Sequence, residues 1–452
     1  MNRSMTITEA KSALDQVLAG KDMYALVKEL YPICRSITGD GFRASLKEIG
    51  RHIPIETHEV PTGTPVFDWT IPREWNIRDA YVKNSRGERV IDFNKLNLHV
   101  LNYSVPVRTT ITLSALRPHL FTIPEHPDWV PYRTSYYKDS WGFCLSHNQL
   151  QTLEDGQYEV CIDSSLENGH LTYGEISIPG ESDEEVFFSC HNCHPSLCND
   201  NLSGVAIATS LAKLLLSVRL RYSYRFIFIP GTIGAITWLA LNESVVPRIK
   251  HGFVVAGGGD SGPFHYKQSR RGHAEVDRAV EVVLRHSGDP YKIIPFSPYG
   301  YDERQYCSPG FNLPVGALSR TPHGCFPEYH TSADDLTFVK PEHMARTLQH
   351  YISVIAVLEG NYFYVNQNPK CEPQLGKRGL YRPMGGVTSQ PVSELALLWV
   401  LNLSDGNHSV LDIGERSGLP FEDIEAAVGA LVGKGLLEPV VSPSSTNGGG
   451  VR

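Results

Sequence analysis

The residues best suited to chemistry lie in one run, Ser189-Cys190-His191-Asn192-Cys193-His194-Pro195-Ser196-Leu197-Cys198-Asn199-Asp200-Asn201-Leu202-Ser203-Gly204. Two histidines stand nine and six residues ahead of Asp200. Imidazole nitrogen combined with carboxylate oxygen suits zinc better than magnesium or calcium, which favour oxygen alone. The thiols of Cys190, Cys193 and Cys198 raise a second reading, a structural zinc knuckle. Such a site needs four ligands, typically as two separated pairs, and the other cysteines are scattered singly. Asp200 by itself would suit a helix N-cap. A second loop far downstream, Glu328-Tyr329-His330-Thr331-Ser332-Ala333-Asp334, also carries His and Asp, and it makes metal ligation the stronger reading.

The surrounding pattern indicates what must hold these groups. Val186-Phe187-Phe188 reads as a buried strand before the run, and 201–218 has apolar residues at helical spacing after it. The loop therefore occupies the carboxyl edge of a strand, where open α/β sheets bind ligands. Strand-like Tyr224–Ile229 ends at Gly231-Thr232, and the strand over 252–256 ends near Asp260. Helices are expected over 232–241, 279–286 and 341–358, with a strand over 313–318. This alternation predicts an α/β fold, a sheet with helices on both faces.

Three other regions differ in texture. Residues 8–52 read as helices, with Gly39-Asp40-Gly41 as a helix stop or a site loop. Residues 57–123 are rich in β-branched and aromatic residues between Pro, Gly and Asn, which predicts an inserted β domain, either a lid or an oligomer contact. The aromatic segment 132–146 is either core beneath that insertion or a substrate wall. Residues 1–56 and 124–389 form the remaining catalytic domain in this reading. Residues 390–441 show three short-spaced helices and a strand, the layout of a winged helix-turn-helix, and 442–452 reads as a disordered tail. The third helix, Phe421–Gly435, carries three acidic residues and one lysine, so a packing or dimer role fits better than DNA reading.

Composition sets outer bounds. The 452 residues are 41% hydrophobic and 20% charged, ordinary for a globular chain, and the net charge of −8 with no long basic run argues against nucleic acid as the main partner. Nine unevenly spaced cysteines do not make a disulfide framework. With no apolar leader and no 18-residue apolar run, the expectation is a cytoplasmic protein without a membrane role.

Taken together, His…Asn-Asp-Asn-x-Ser-Gly, Pro230-x-Thr232-Ile233-Gly234, DERQYCSPGFNLPVGALSRTP and YHTSADDL resemble the zinc aminopeptidase superfamily. The match is closer to the bacterial aminopeptidase-like proteins with a nested β domain and a C-terminal winged helix, with FDWTIPREWNIRDAYV and YHTSADDL as the specific segments. The resemblance covers nearly the whole chain. It implies a zinc-exopeptidase-like mixed sheet and a zinc-dependent hydrolase cleaving an amide bond in a small peptide or peptide-like metabolite. The superfamily's bridging aspartate maps to Asp200. Further ligands map to His191 or His194, to Asp260 and to His330, with His194 preferred because the subfamily's Cys-His-Pro signature retains it.

The same resemblance exposes a departure. The superfamily's catalytic glutamate, followed by a glutamate ligand, falls at Gly231 and Thr232. Threonine there is normal for the subfamily, but Pro-Glu-Thr-Ile-Gly would be expected, so Gly231 is particular to this chain. Neither residue can take a proton from water, and losing a carboxylate ligand favours one zinc over two. Glu328 is the candidate replacement base, or else a structural carboxylate. Lys267 and Arg270 could hold a substrate carboxylate or phosphate or be a solvated basic turn. Asp302-Glu303-Arg304 resembles the family's site-facing loop, where Asp302 or its neighbours could meet a substrate amine or form salt bridges, and Tyr329 stands with these as a substrate contact. Two rival readings follow from Gly231 and the winged helix: an impaired zinc-binding scaffold, and a winged-helix regulator with a hydrolase-like sensor.

Overall fold

A computed structural model describes residues 5–380 and 392–440. The expected tail, 442–452, lies outside the described residues, as do the outermost residues of the expected winged-helix range. The chain divides into two compact units, one of residues 1–274 and 290–352 and the other of 275–289 and 353–452.

The first unit is built on an eight-stranded mixed sheet. Its centre is the strand Glu185–His191, parallel to Ser223–Ile229 on one side and to Ile249–Val255 on the other. Val315–Ser319 extends the parallel set, whereas His170–Ile178 and Phe264–Lys267 pair antiparallel. Every residue of Glu185–His191 is buried. A strand covered on both faces needs a continuous apolar run rather than alternation, and Val186-Phe187-Phe188 supplies it. Helices Gly204–Leu215 and Ile233–Leu241 follow the first two of these strands, so both preceding loops fall at the sheet's carboxyl edge. The 39–41 glycine break starts a helix, Asp40–Ile49, rather than stopping one. Gly39 has φ +94°, and an added Cβ would meet the Trp75 carbonyl oxygen at 2.1 Å, so both turn and packing require glycine.

The inserted β unit differs from the expected 57–123. Its four-stranded antiparallel sheet joins Arg89–Asp92, Glu74–Lys83, Gln157–Glu167 and Val107–Thr112. The strand Glu56–Pro61 instead pairs with His170–Ile178 and belongs to the main sheet. The strand Gln157–Glu167 joins this sheet from outside the expected range, because pairing across a long separation has no local signature.

The second unit contains a three-stranded sheet of Asp405–Ser409, Phe363–Asn366 and Leu437–Val440, with helices Glu394–Leu403, Val410–Ser417 and Phe421–Val432. It also includes the helix Glu275–His286, assigned above to the catalytic domain. Arg278 on that helix pairs with Asp412 and Glu415 on Val410–Ser417.

Candidate metal centre and its pocket

Three histidines converge on one carboxylate. His191 Nε2 lies 2.8 Å from Asp200 Oδ1, His330 Nε2 lies 2.9 Å from Oδ2, and His194 Nδ1 lies 3.3 Å from Oδ2. His191, His194 and Asp200 are buried. Burial alone would raise the Asp200 pKa, but the three imidazoles outweigh it and hold the carboxyl well below its usual range. Burial keeps His191 neutral by pulling its pKa down to about 4, and it lowers that of His330 as well. A neutral His191 beside an ionised carboxylate is the protonation state that metal ligation requires.

The backbone behind each histidine is clamped. Asn201 Nδ2 donates to the His191 carbonyl at 3.1 Å, Arg35 Nη2 donates to that of His194 at 2.7 Å, and the Tyr132 amide donates to that of His330 at 2.8 Å. His330 itself has φ +56°, a left-handed conformation uncommon outside glycine. Asp334 accepts from the amides of Asn199 and Asp200, at 2.6 and 2.9 Å, and so fixes the loop carrying the central carboxylate. Burial pushes the Asp334 pKa up to about 8.

No ion accompanies these groups, so their fit to zinc rests on the donor set. His194 Nδ1 is buried and makes no hydrogen bond, although a carboxylate oxygen stands 3.3 Å away. An unpaired buried ring nitrogen costs free energy unless something takes its lone pair, and zinc would. Among the described residues, the compact His/Cys/Asp/Glu cluster able to hold a metal is His191, His194 and Asp200, with His330 hydrogen-bonded to it. Cys190, Cys193 and Cys198 are buried free thiols outside that cluster, which removes the knuckle reading.

Several expected site residues lie elsewhere. Asp260 accepts from Asn199, Gly262 and Thr321 and thereby braces the Asn199 side chain; it is not among the clustered ligand atoms. Its strand ends at Val255, five residues too early to bring it to the cluster. Asp302 is fully buried, with neither carboxylate oxygen hydrogen-bonded, so it cannot meet a substrate amine. Burial raises its pKa well above normal. Arg270 is exposed and bonds Asn312 at 3.1 Å, away from the pocket lining. Glu328 uses its backbone carbonyl to cap Thr331, and its side chain is neither in the cluster nor on the pocket wall.

The pocket beside the cluster is walled by His191, Asp200, Tyr301 and Tyr329, with Val254, Ala256, Ala317 and Phe326 as apolar surface. Lys267 lines it, 2.7 Å from Glu303 Oε1 and 2.8 Å from the Tyr299 carbonyl. Tyr329 stacks on His330 with ring centres 3.9 Å apart. Of the aromatic segment 132–146, Tyr132 packs edge-on against His194 and His330 at 5.2 and 5.1 Å, and Phe143, Cys144 and Leu145 are core. The segment is thus mostly packing, and none of it lines the pocket.

Gly231 has a specific neighbour. A Cβ there would come within 2.4 Å of both Cε1 and the hydroxyl oxygen of Tyr301. The Tyr301 ring also lies 4.1 Å from the His191 ring. The phenol therefore occupies the space into which a side chain at 231 would grow. Within the Asp302-Glu303-Arg304 loop it is Glu303 that forms a salt bridge and lines the pocket, and Tyr301, just ahead of that loop, is the residue the sequence did not single out. Arg35, a single arginine in a loop, carried no signal.

The family model described as Domain of unknown function (DUF4910) matches residues 24–361, and a winged helix-turn-helix model matches 362–439. The chain belongs to that DUF4910 family. It is 54% identical, over 93% of its length and 97% of the relative's, to a Clostridium acetobutylicum protein named for polysaccharide biosynthesis with an aminopeptidase-like domain. A crystal structure of a protein described as a peptidase from the same organism superposes with TM-score 0.91 at 52% identity, covering 94% of this chain and 98% of that one. A zinc aminopeptidase from Bacillus subtilis shares the fold, with TM-score 0.55 and 11% identity over 75% of this chain and 95% of that one. The aminopeptidase-like mixed sheet and the C-terminal winged helix read from the sequence therefore both hold.

Proposed function

We propose that the protein is a zinc-binding, aminopeptidase-like hydrolase of an amide bond in a small peptide-like substrate, with one metal held by His194, Asp200 and His330. The observation that carries this reading is the convergence of three histidines on Asp200 at the edge of a pocket. His191, the deepest of the three, is the fourth candidate donor through the nitrogen it now directs at Asp200 Oδ1. When bound, zinc supplies an acidified water and polarises the scissile carbonyl. The chain's own residues confine the substrate between Tyr329 and the apolar wall. The Lys267–Glu303 pair presents one charge of each sign to a zwitterionic or amide-bearing end. The relative named for polysaccharide biosynthesis is compatible with an amide carried on a sugar. Free cysteines, and no helix long and apolar enough to cross a membrane among the described residues, support a cytoplasmic setting.

A second reading, the impaired scaffold, is favoured by one observation: Tyr301 fills the place of the expected base. Metal analysis with an amide-hydrolysis assay separates the two. One zinc per chain with slow turnover is expected, rising about 10²-fold or more in Gly231→Glu, the scale of general-base catalysis. No zinc uptake overturns the hydrolase reading; equal measurable rates in both proteins keep it and overturn only the part assigned to position 231; full zinc without turnover in either leaves the scaffold.

A further inference from the structure

Arg35 is fully buried in a loop far from Asp200 in sequence, and among the described residues no carboxylate pairs with it. Nε and Nη2 both donate to the His194 carbonyl, at 3.0 and 2.7 Å, and Nη1 donates to the Leu30 carbonyl at 2.5 Å. Leu30 ends the helix Gln16–Leu30, so the cation sits at the negative end of a helix dipole. Burying a guanidinium without an anion is costly, and packing alone would be served as well by an aliphatic side chain. What the arginine adds is a rigid, two-pronged hold on one carbonyl.

The same loop reaches the opposite ligand. Asn102 Nδ2 donates to the Arg35 carbonyl at 3.1 Å, and Ser36 Oγ donates to Asn102 Oδ1 at 2.5 Å. The Asn102 amide donates to the Arg133 carbonyl at 2.9 Å, and the neighbouring Tyr132 amide donates to the His330 carbonyl. A continuous hydrogen-bonded path thus runs behind the site from His194 to His330. His194 Nδ1, by contrast, is buried without a hydrogen bond.

From this geometry we infer that Arg35 is a positioning residue, fixing the His194 backbone and its spacing from His330 so that both imidazoles meet one metal with Asp200. This rests on the metal reading above and extends it to a residue outside the ligand loops. Groups that orient metal ligands typically change metal affinity 10–100-fold when removed.

The test uses the full chain, zinc competition against a chromophoric chelator, and the visible spectrum of the cobalt(II)-loaded protein. Arg35→Met should weaken zinc about 10–100-fold and alter the cobalt spectrum. Arg35→Lys, which keeps the charge but lacks the planar two-nitrogen fork, should fall between it and the parent. Arg225→Met, on the neighbouring strand Ser223–Ile229 and paired with Glu185 at the end of the central strand opposite His191, controls for general destabilisation and should leave affinity unchanged. If Arg35→Met does not fold, Arg35→Lys carries the comparison. Parent affinity in the arginine variant that folds, or an equal loss in Arg225→Met, overturns the positioning role. A parent chain that takes up no zinc overturns the metal reading itself.

Discussion

At the residue scale, Asp200 is the hub, because each of the three histidines approaches one of its oxygens. Asp200→Asn should abolish stoichiometric zinc uptake while leaving far-UV circular dichroism unchanged, since the amide keeps the shape and loses the charge. Gly231 and Tyr301 behave as a pair. Gly231→Glu forces the phenol to move, so Gly231→Glu/Tyr301→Ala should take up the glutamate with less strain, read as a melting temperature above that of Gly231→Glu alone. His251 gives a pH dependence remote from the metal centre. It is buried with Nδ1 unbonded; burial, aided by Arg221 and Lys250 and opposed by Glu184, lowers its pKa to about 3. The folded pKa lies below the unfolded value, so the unfolded chain binds more protons and stability falls as pH drops below about 6.5. That loss should be about 2 kcal/mol at pH ~5. His251→Phe should reduce it in urea titrations at the two pH values. Unchanged acid sensitivity would show that His251 is not its source.

At the element scale, the strand Ser223–Ile229 is tied to both of its neighbours by charge as well as by the ladder. Arg225 on Ser223–Ile229 reaches Glu185 on one flanking strand, with Nε–Oε2 2.6 Å, and Glu175 on the other. Glu175 also accepts from Trp238 at 2.9 Å, joining the sheet to the helix Ile233–Leu241. Removing the arginine strands two mostly buried carboxylates, so Arg225→Ala should destabilise by about 3–5 kcal/mol. A urea midpoint shift worth under about 1 kcal/mol would mean that the carboxylates remain hydrated. Strand and helix identities were legible where buried apolar runs or helical periods were long, as in Tyr224–Ile229 and the three winged-helix segments. The strand Gln157–Glu167 lies outside the expected 57–123 insertion yet pairs with two of its strands, because a run of alternating residues does not name its partner.

For the whole molecule, the boundary between the two family models at 361/362 falls near the boundary of the compact units at 352/353, although the helix Glu275–His286, inside the DUF4910 match, belongs to the second unit. The helix Phe421–Val432 opens with Glu422 and Asp423 and has no basic residue in its last turn. Phosphate contacts need cations, so mobility-shift titrations at low salt should show no retarded DNA; a salt-sensitive shift would restore the regulator reading. Residue types and their spacing by themselves determined the fold class, the winged helix and the histidine–aspartate loop, because each is written in contiguous segments; the departure at Gly231 came from the family resemblance. Only the tertiary structure decided that Asp260 braces Asn199 instead of joining the cluster, that Asp302 is sealed from substrate while Glu303 meets the pocket, that Tyr301 fills the space beside Gly231, and that Arg35 grips His194. Those outcomes depend on where a strand ends to within a few residues and on which distant loops touch. The chain specifies such contacts only when the whole core closes around them.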